Sequence, residues 1–73
     1  MKIYQAIFCC DILGFFISYK KAQSVIISAA KREFEEIWTE ESLNEWIEDF
    51  TKDGYDYWNE IYIMEENVDM EEY

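Results

Sequence analysis

Seventeen of the 73 residues are Asp or Glu, six are Lys or Arg, and none is His. Any chemistry here must therefore be done with carboxylates, thiols and aromatic rings. Glu41, Glu45 and Glu48 recur at helical spacing beside Asp49, and Asp53, Asp56 and Glu60 continue the series through D-G-Y-D-Y-W-N-E-I-Y. Paired carboxylates can divide acid and base work, as in glycoside cleavage. These, however, have the pattern of a solvated helix face, with no pocket to shift their pKa values. No histidine is present as a general base near neutral pH, and Cys9 and Cys10 lack an imidazole to activate a thiolate. The expected chain is not an enzyme.

Metal chemistry fits no better. An EF-hand loop needs acidic or amide ligands at alternate positions, a glycine and a distal Glu. The nearest stretch, D-F-T-K-D-G-Y-D-Y-W-N-E, lacks the middle ligand and the register. Adjacent cysteines without histidine do not make a zinc site. Neighbours in a strand point to opposite faces, and a bond between Cys9 and Cys10 would be strained. They read as reduced, partly buried thiols of a cytosolic protein. No metal or cofactor is expected.

What remains is charge as a recognition device. Residues 33–73 carry sixteen Asp or Glu and one Lys, a formal −15, whereas residues 1–32 carry five Lys or Arg and one Asp. Direct nucleic-acid binding is excluded by sign, because phosphate contacts require Lys and Arg. A helical carboxylate row spaced about 6 Å apart instead imitates a phosphate strand, with its charge every ~3.4 Å. Such a field steers a basic partner toward it. Trp and Tyr are the usual interface anchors, and they interleave the acids here. The predicted partner-binding set is Glu41, Glu45, Glu48, Asp49, Asp53, Asp56, Trp58, Glu60 and Tyr62. The predicted partner is a basic protein surface, that of a nucleic-acid-binding protein.

The elements that must position these residues follow from periodicity. Residues 2–10 are β-branched and aromatic, Asp11–Gly14 supplies turn signals, and residues 13–17 form a second strand. Both faces of this hairpin are apolar, so both must be covered or one is a contact site. Ser18 caps a helix whose stripe is Ala22, Ile26, Ala29 or Ala30, Phe34 and Ile37. Trp38-Thr39 marks its break, although no Gly or Pro rules out a continuous helix over 19–50. Ser42 with Glu45 makes a capping box for the second helix, Thr39 offers a cap one turn earlier, and Gly54 closes it. Leu43, Trp46, Ile47 and Phe50 face the core. Residues 55–64 alternate as a third strand, with Tyr57, Ile61 and Ile63 on one face and Trp58 and Tyr62 on the other.

The expected fold class is α+β, in the order β-β-α-α-β. A three-stranded antiparallel sheet carries two helices on one face. Residues 1–65 form the domain and 66–73 an acidic, frayed tail. The apolar run 3–17 is interrupted by Gln5 and Asp11 and is too short for a membrane span, and no signal cleavage site follows it. Cytoplasmic localisation and no membrane partner are expected. The alternative function is a structural module, a homodimer built on the aromatic sheet face left bare by the helices.

A small, acidic, Pro-free, aromatic-rich chain with a short hairpin and a Ser18-capped helix resembles phage- and mobile-element-encoded accessory proteins as a type. Among these, anti-CRISPR and DNA-mimic inhibitors occupy basic nucleic-acid-binding surfaces. The resemblance implies an inhibitor acting in the host cytoplasm and transfers no functional residue.

Overall fold

In the computed structural model, which describes residues 1–67, the elements run β1 Lys2–Phe8, β2 Asp11–Phe16, α1 Tyr19–Phe34, α2 Glu40–Asp53, β3 Tyr55–Asp56, a 3-10 turn Tyr57–Asn59, and β4 Ile61–Asn67. The α+β class is as expected, but the antiparallel sheet has four strands in the order β2-β1-β4-β3 rather than three. The single strand expected over 55–64 is broken because Asp56 caps a 3-10 turn and Glu60 takes a left-handed φ of 57°. β4 then continues to Asn67, with Glu66 opposite Ile3 and Asn67 opposite Lys2. Two residues assigned to the tail are thus sheet residues, and 68–73 lie outside the described residues. Among the described residues, no helix is long and apolar enough to cross a membrane.

The hairpin turn is not at Asp11–Gly14 but at Cys9-Cys10, whose φ angles of 50° and 76° are both positive. A two-residue loop with both φ positive matches the right-handed twist of the strands it joins, and it normally selects Asn-Gly. Leu13 is the extra residue of a bulge, since Ala6 pairs with Gly14 and Ile7 with Ile12. Both thiols are free and exposed, not partly buried.

α1 begins where Ser18 Oγ accepts the Lys21 N–H at 3.2 Å. Its buried stripe is Ala22, Ile26, Ala29 and Ala30, with Phe34 half-buried. Ile37 does not extend it, because the helix has ended and Ile37 is 73% exposed. The break comes from Trp38 folding back to stack on Phe34 at 4.4 Å, so 19–50 is two helices. α2 starts from the earlier cap, with Thr39 Oγ1 accepting the Ser42 N–H at 3.1 Å. Gly54, at φ 83°, ends it by donating its N–H to Phe50 O at 2.7 Å. Ala6, Phe8, Ala22, Ile26, Ala29, Ala30, Phe50 and Ile61 form the core between the sheet and the helix layer. Gln23 Nε2 ties the helices together by donating to Phe50 O and Thr51 O, both at 3.3 Å.

Candidate functional site

The inward stripe of α2 determines what its outer face shows. Leu43 and Phe50 are buried and Trp46 and Ile47 half-buried. Glu41, Glu45, Glu48, Asp49 and Asp53 are therefore turned to solvent, and all five are exposed. Trp46 stacks on Phe50 at 5.0 Å and 7° and meets Phe34 edge-on at 6.2 Å. Trp38 lies 6.3 Å from it. These rings form the wall of two shallow grooves that share Trp46 and Asp49. One is lined by Trp38, Ser42, Glu45, Trp46 and Asp49. The other is lined by Trp46, Asp49, Phe50, Asp53, Tyr55 and Asp56. Together they make one seam along α2, with Glu45, Asp49 and Asp53 at successive four-residue steps of about 6 Å.

Asp56 lies at the end of this seam, but it is engaged by its own chain. Its Oδ2 accepts from Trp46 Nε1 and from Asn59 Nδ2, each at 2.7 Å, and its Oδ1 accepts the Asn59 N–H at 3.4 Å. Partial burial pushes its pKa up, yet the hydrogen bonds from Asn59, Trp46 and the Trp58 backbone outweigh that and hold it below the ordinary carboxylate value. Asp56 is thus a structural hub that locks the Trp46 ring and the following turn. That turn presents Trp58, 93% exposed, on a backbone fixed at both ends.

Glu60 is also committed: Cys10 Sγ donates to its Oε2 at 2.8 Å, joining the hairpin turn to the start of β4. This bond raises the Cys10 pKa first, with burial and the charges of Glu60 and Asp11 adding to it. Burial and then Asp11 raise the pKa of Cys9. Both thiols are thereby kept protonated and poorly nucleophilic. Tyr62 is elsewhere. It pairs with Ile7 in β4 on the sheet face away from the helices, with Tyr57 edge-on at 5.8 Å. Tyr57, expected in the core beside Ile61 and Ile63, is 66% exposed and stacks on Tyr55 at 4.5 Å.

The predicted set therefore divides. Glu45, Asp49, Asp53 and Asp56 share the seam, Glu41 and Glu48 flank it on α2, Trp58 projects from the turn beyond, and Glu60 and Tyr62 belong to other surroundings. Trp38, Ser42, Trp46 and Tyr55 line the seam without having been predicted. Trp38 and Trp46 are eight positions apart, which a helix continued through 38 would have placed on one face. The Cys10–Glu60 contact spans fifty positions and left no local signal. Among the described residues, no group of three or more His, Cys, Asp or Glu is placed to hold a metal ion. The ion pair Lys2–Glu65, at 3.0 Å, involves none of the α2 carboxylates.

Comparison with protein-family models, curated proteins and solved structures finds no match to this chain.

Proposed function

We propose that this chain is a non-enzymatic binding protein that masks the basic surface of a nucleic-acid-binding protein. The contact is made by the outer face of α2 and the adjoining Trp58 turn. The observation that carries this reading is the exposed row Glu45, Asp49 and Asp53 beside the Trp38–Trp46 wall. Stability alone does not account for that row. Glu40 and Glu41, in the first turn, favour the helix dipole. Asp49 and Asp53 lie near the C-terminus, where negative charge is unfavourable. Among the described residues, none of the three carboxylates in the row makes an ion pair that would compensate. Against a partner's Lys and Arg, the same carboxylates gain charge-assisted hydrogen bonds. The indole rings of Trp38 and Trp46 beside them offer cation–π faces. DNA-mimic and anti-CRISPR inhibitors would share this mode of action.

The test is capture on immobilised protein at rising salt, followed by challenge with duplex DNA. The expected partners bind nucleic acid, elute with salt, and are released by duplex. Retention that ignores salt, or partners with neutral or acidic surfaces, overturns the proposal.

A further inference from the structure

The sheet has a second face that the helices leave bare. Its side chains form cross-strand rows. One is Ile12–Ile7–Tyr62–Tyr55, running across all four strands, and the next is Phe15–Gln5–Met64. Tyr57, stacked on Tyr55 at 4.5 Å, extends the first row. Ile7 is already covered by its neighbours, but Ile12, Phe15, Tyr55, Tyr57 and Met64 keep between 42% and 66% of their surface exposed. No Lys or Arg stands in these rows, and the first charged side chain beyond them is Glu66, opposite Ile3.

We propose that this face is the interface of a homodimer, with a second copy of the chain stacked sheet to sheet about a two-fold axis. This goes beyond the acidic-mask reading and does not depend on it. Aromatic side chains carry 150–250 Å² each, so the exposed portions add up to something on the order of 600 Å² per copy. A standard interface takes roughly 800 Å² from each partner. The face therefore reaches the low end of the specific range, which begins at roughly 600 Å² per partner. Charge decides for a copy of the same chain over a membrane: without a cation on the face, anionic headgroups would repel an acidic molecule. The same charge does not oppose dimerisation. Stacked sheets lie ~10 Å apart, and each α2 lies on the far side of its own sheet, so the carboxylate faces point outward. Their separation exceeds the ~8 Å screening length at physiological salt. The bulge at Leu13 disfavours the other route to association, edge-to-edge strand addition at β2. The resulting particle would present two acidic seams on opposite sides.

Sedimentation equilibrium from low to high micromolar concentration tests this on the intact chain at physiological ionic strength. A dimer is expected for the wild type. Phe15→Glu and Met64→Glu, each checked for folding by circular dichroism, are expected to weaken it by at least about tenfold, because each buries an unpaired charge. If one variant fails to fold, the other decides. Glu45→Lys is expected to dimerise like the wild type, which separates this proposal from the fate of the acidic seam. A wild type that stays monomeric at high micromolar concentration overturns it. So does unchanged dimerisation in the folded open-face variants, or binding to zwitterionic vesicles by a chain that does not self-associate.

Discussion

Asp56 shows how a residue chosen for its charge can serve mainly its own fold. Two side-chain donors converge on it, and among the described residues Asp56 is the acceptor of Trp46 Nε1. Asp56→Ala is therefore expected to cost about 1–3 kcal/mol, the usual penalty for orphaning a partly buried donor. Chemical denaturation measures this, and a change below experimental error would show the bond to be idle. The carboxyl is held below its ordinary value of 3.8. Its stabilisation is thus complete above that value and lost as pH falls through the lower folded value. The acid-unfolding curve of the wild type should accordingly contain a component below pH 3.8 that Asp56→Asn lacks. The turn residues make a second residue-scale case. Cys10 holds a φ of 76°, and a side chain in the left-handed region costs roughly 1–2 kcal/mol. Cys10→Gly gives up only an exposed thiol hydrogen bond, so it should raise the melting temperature by several degrees, at ~4–8 °C per kcal/mol. A lower melting temperature would mean that the Cys10–Glu60 contact outweighs the backbone strain.

At the scale of elements, α2 divides stability from recognition. Phe50→Ala and Leu43→Ala empty core volume and should each cost about 2–5 kcal/mol, and Trp46→Ala about 3–5 kcal/mol. Glu45→Lys and Asp49→Lys touch only solvent and should leave thermal unfolding nearly unchanged while slowing association with a basic partner. Stopped-flow binding beside thermal denaturation reads both effects. Collapse of the fold in Glu45→Lys with an intact Trp46→Ala would reverse the register. The end of the helix is equally specific. A Cβ at Gly54 would meet the Tyr19 hydroxyl, and its φ is 83°. Gly54→Ala should therefore cost more than the ~1 kcal/mol of the backbone conformation alone.

For the whole molecule, the decisive feature is the separation of charge and apolar surface into different sides. α1 carries exposed Lys20, Lys21, Lys31 and Arg32, α2 carries the acidic row, and the far side of the sheet carries neither. Partner binding through the seam should weaken steeply with salt, because exposed charges are screened within ~8 Å at physiological ionic strength. Dimerisation through the sheet face should hold or tighten with salt, because apolar burial does not depend on charge. A titration of both equilibria against sodium chloride would place the two surfaces on opposite slopes. Parallel slopes would show that one surface serves both.

The sequence by itself determined the class of the fold and the apolar stripes Ala22–Phe34 and Leu43–Phe50, because periodicities near two and 3.6 residues are local properties of the chain. It also determined Ser18 and Gly54 as caps and the exposed acidic face of α2. The break between the helices, and the loss of Ile37 from the first stripe, came with the structure. Only the tertiary structure decided the rest. Asp56 and Glu60 have the composition of a surface charge run, and nothing nearby in sequence reveals that Trp46 and Cys10 arrive to take their oxygens. The hairpin turn fell on Cys9-Cys10, against local preference, because the pairing of Ala6, Ile7 and Phe8 with β2 fixes a two-residue connection. The strand over 55–64 was split for the same kind of reason. Its alternation is real, but capping by Asp56 and the Trp46 contact stabilise a turn where the pattern alone permits a strand. Local preferences amount to tenths of a kcal/mol per residue, and hydrogen bonds and packing formed across fifty positions override them.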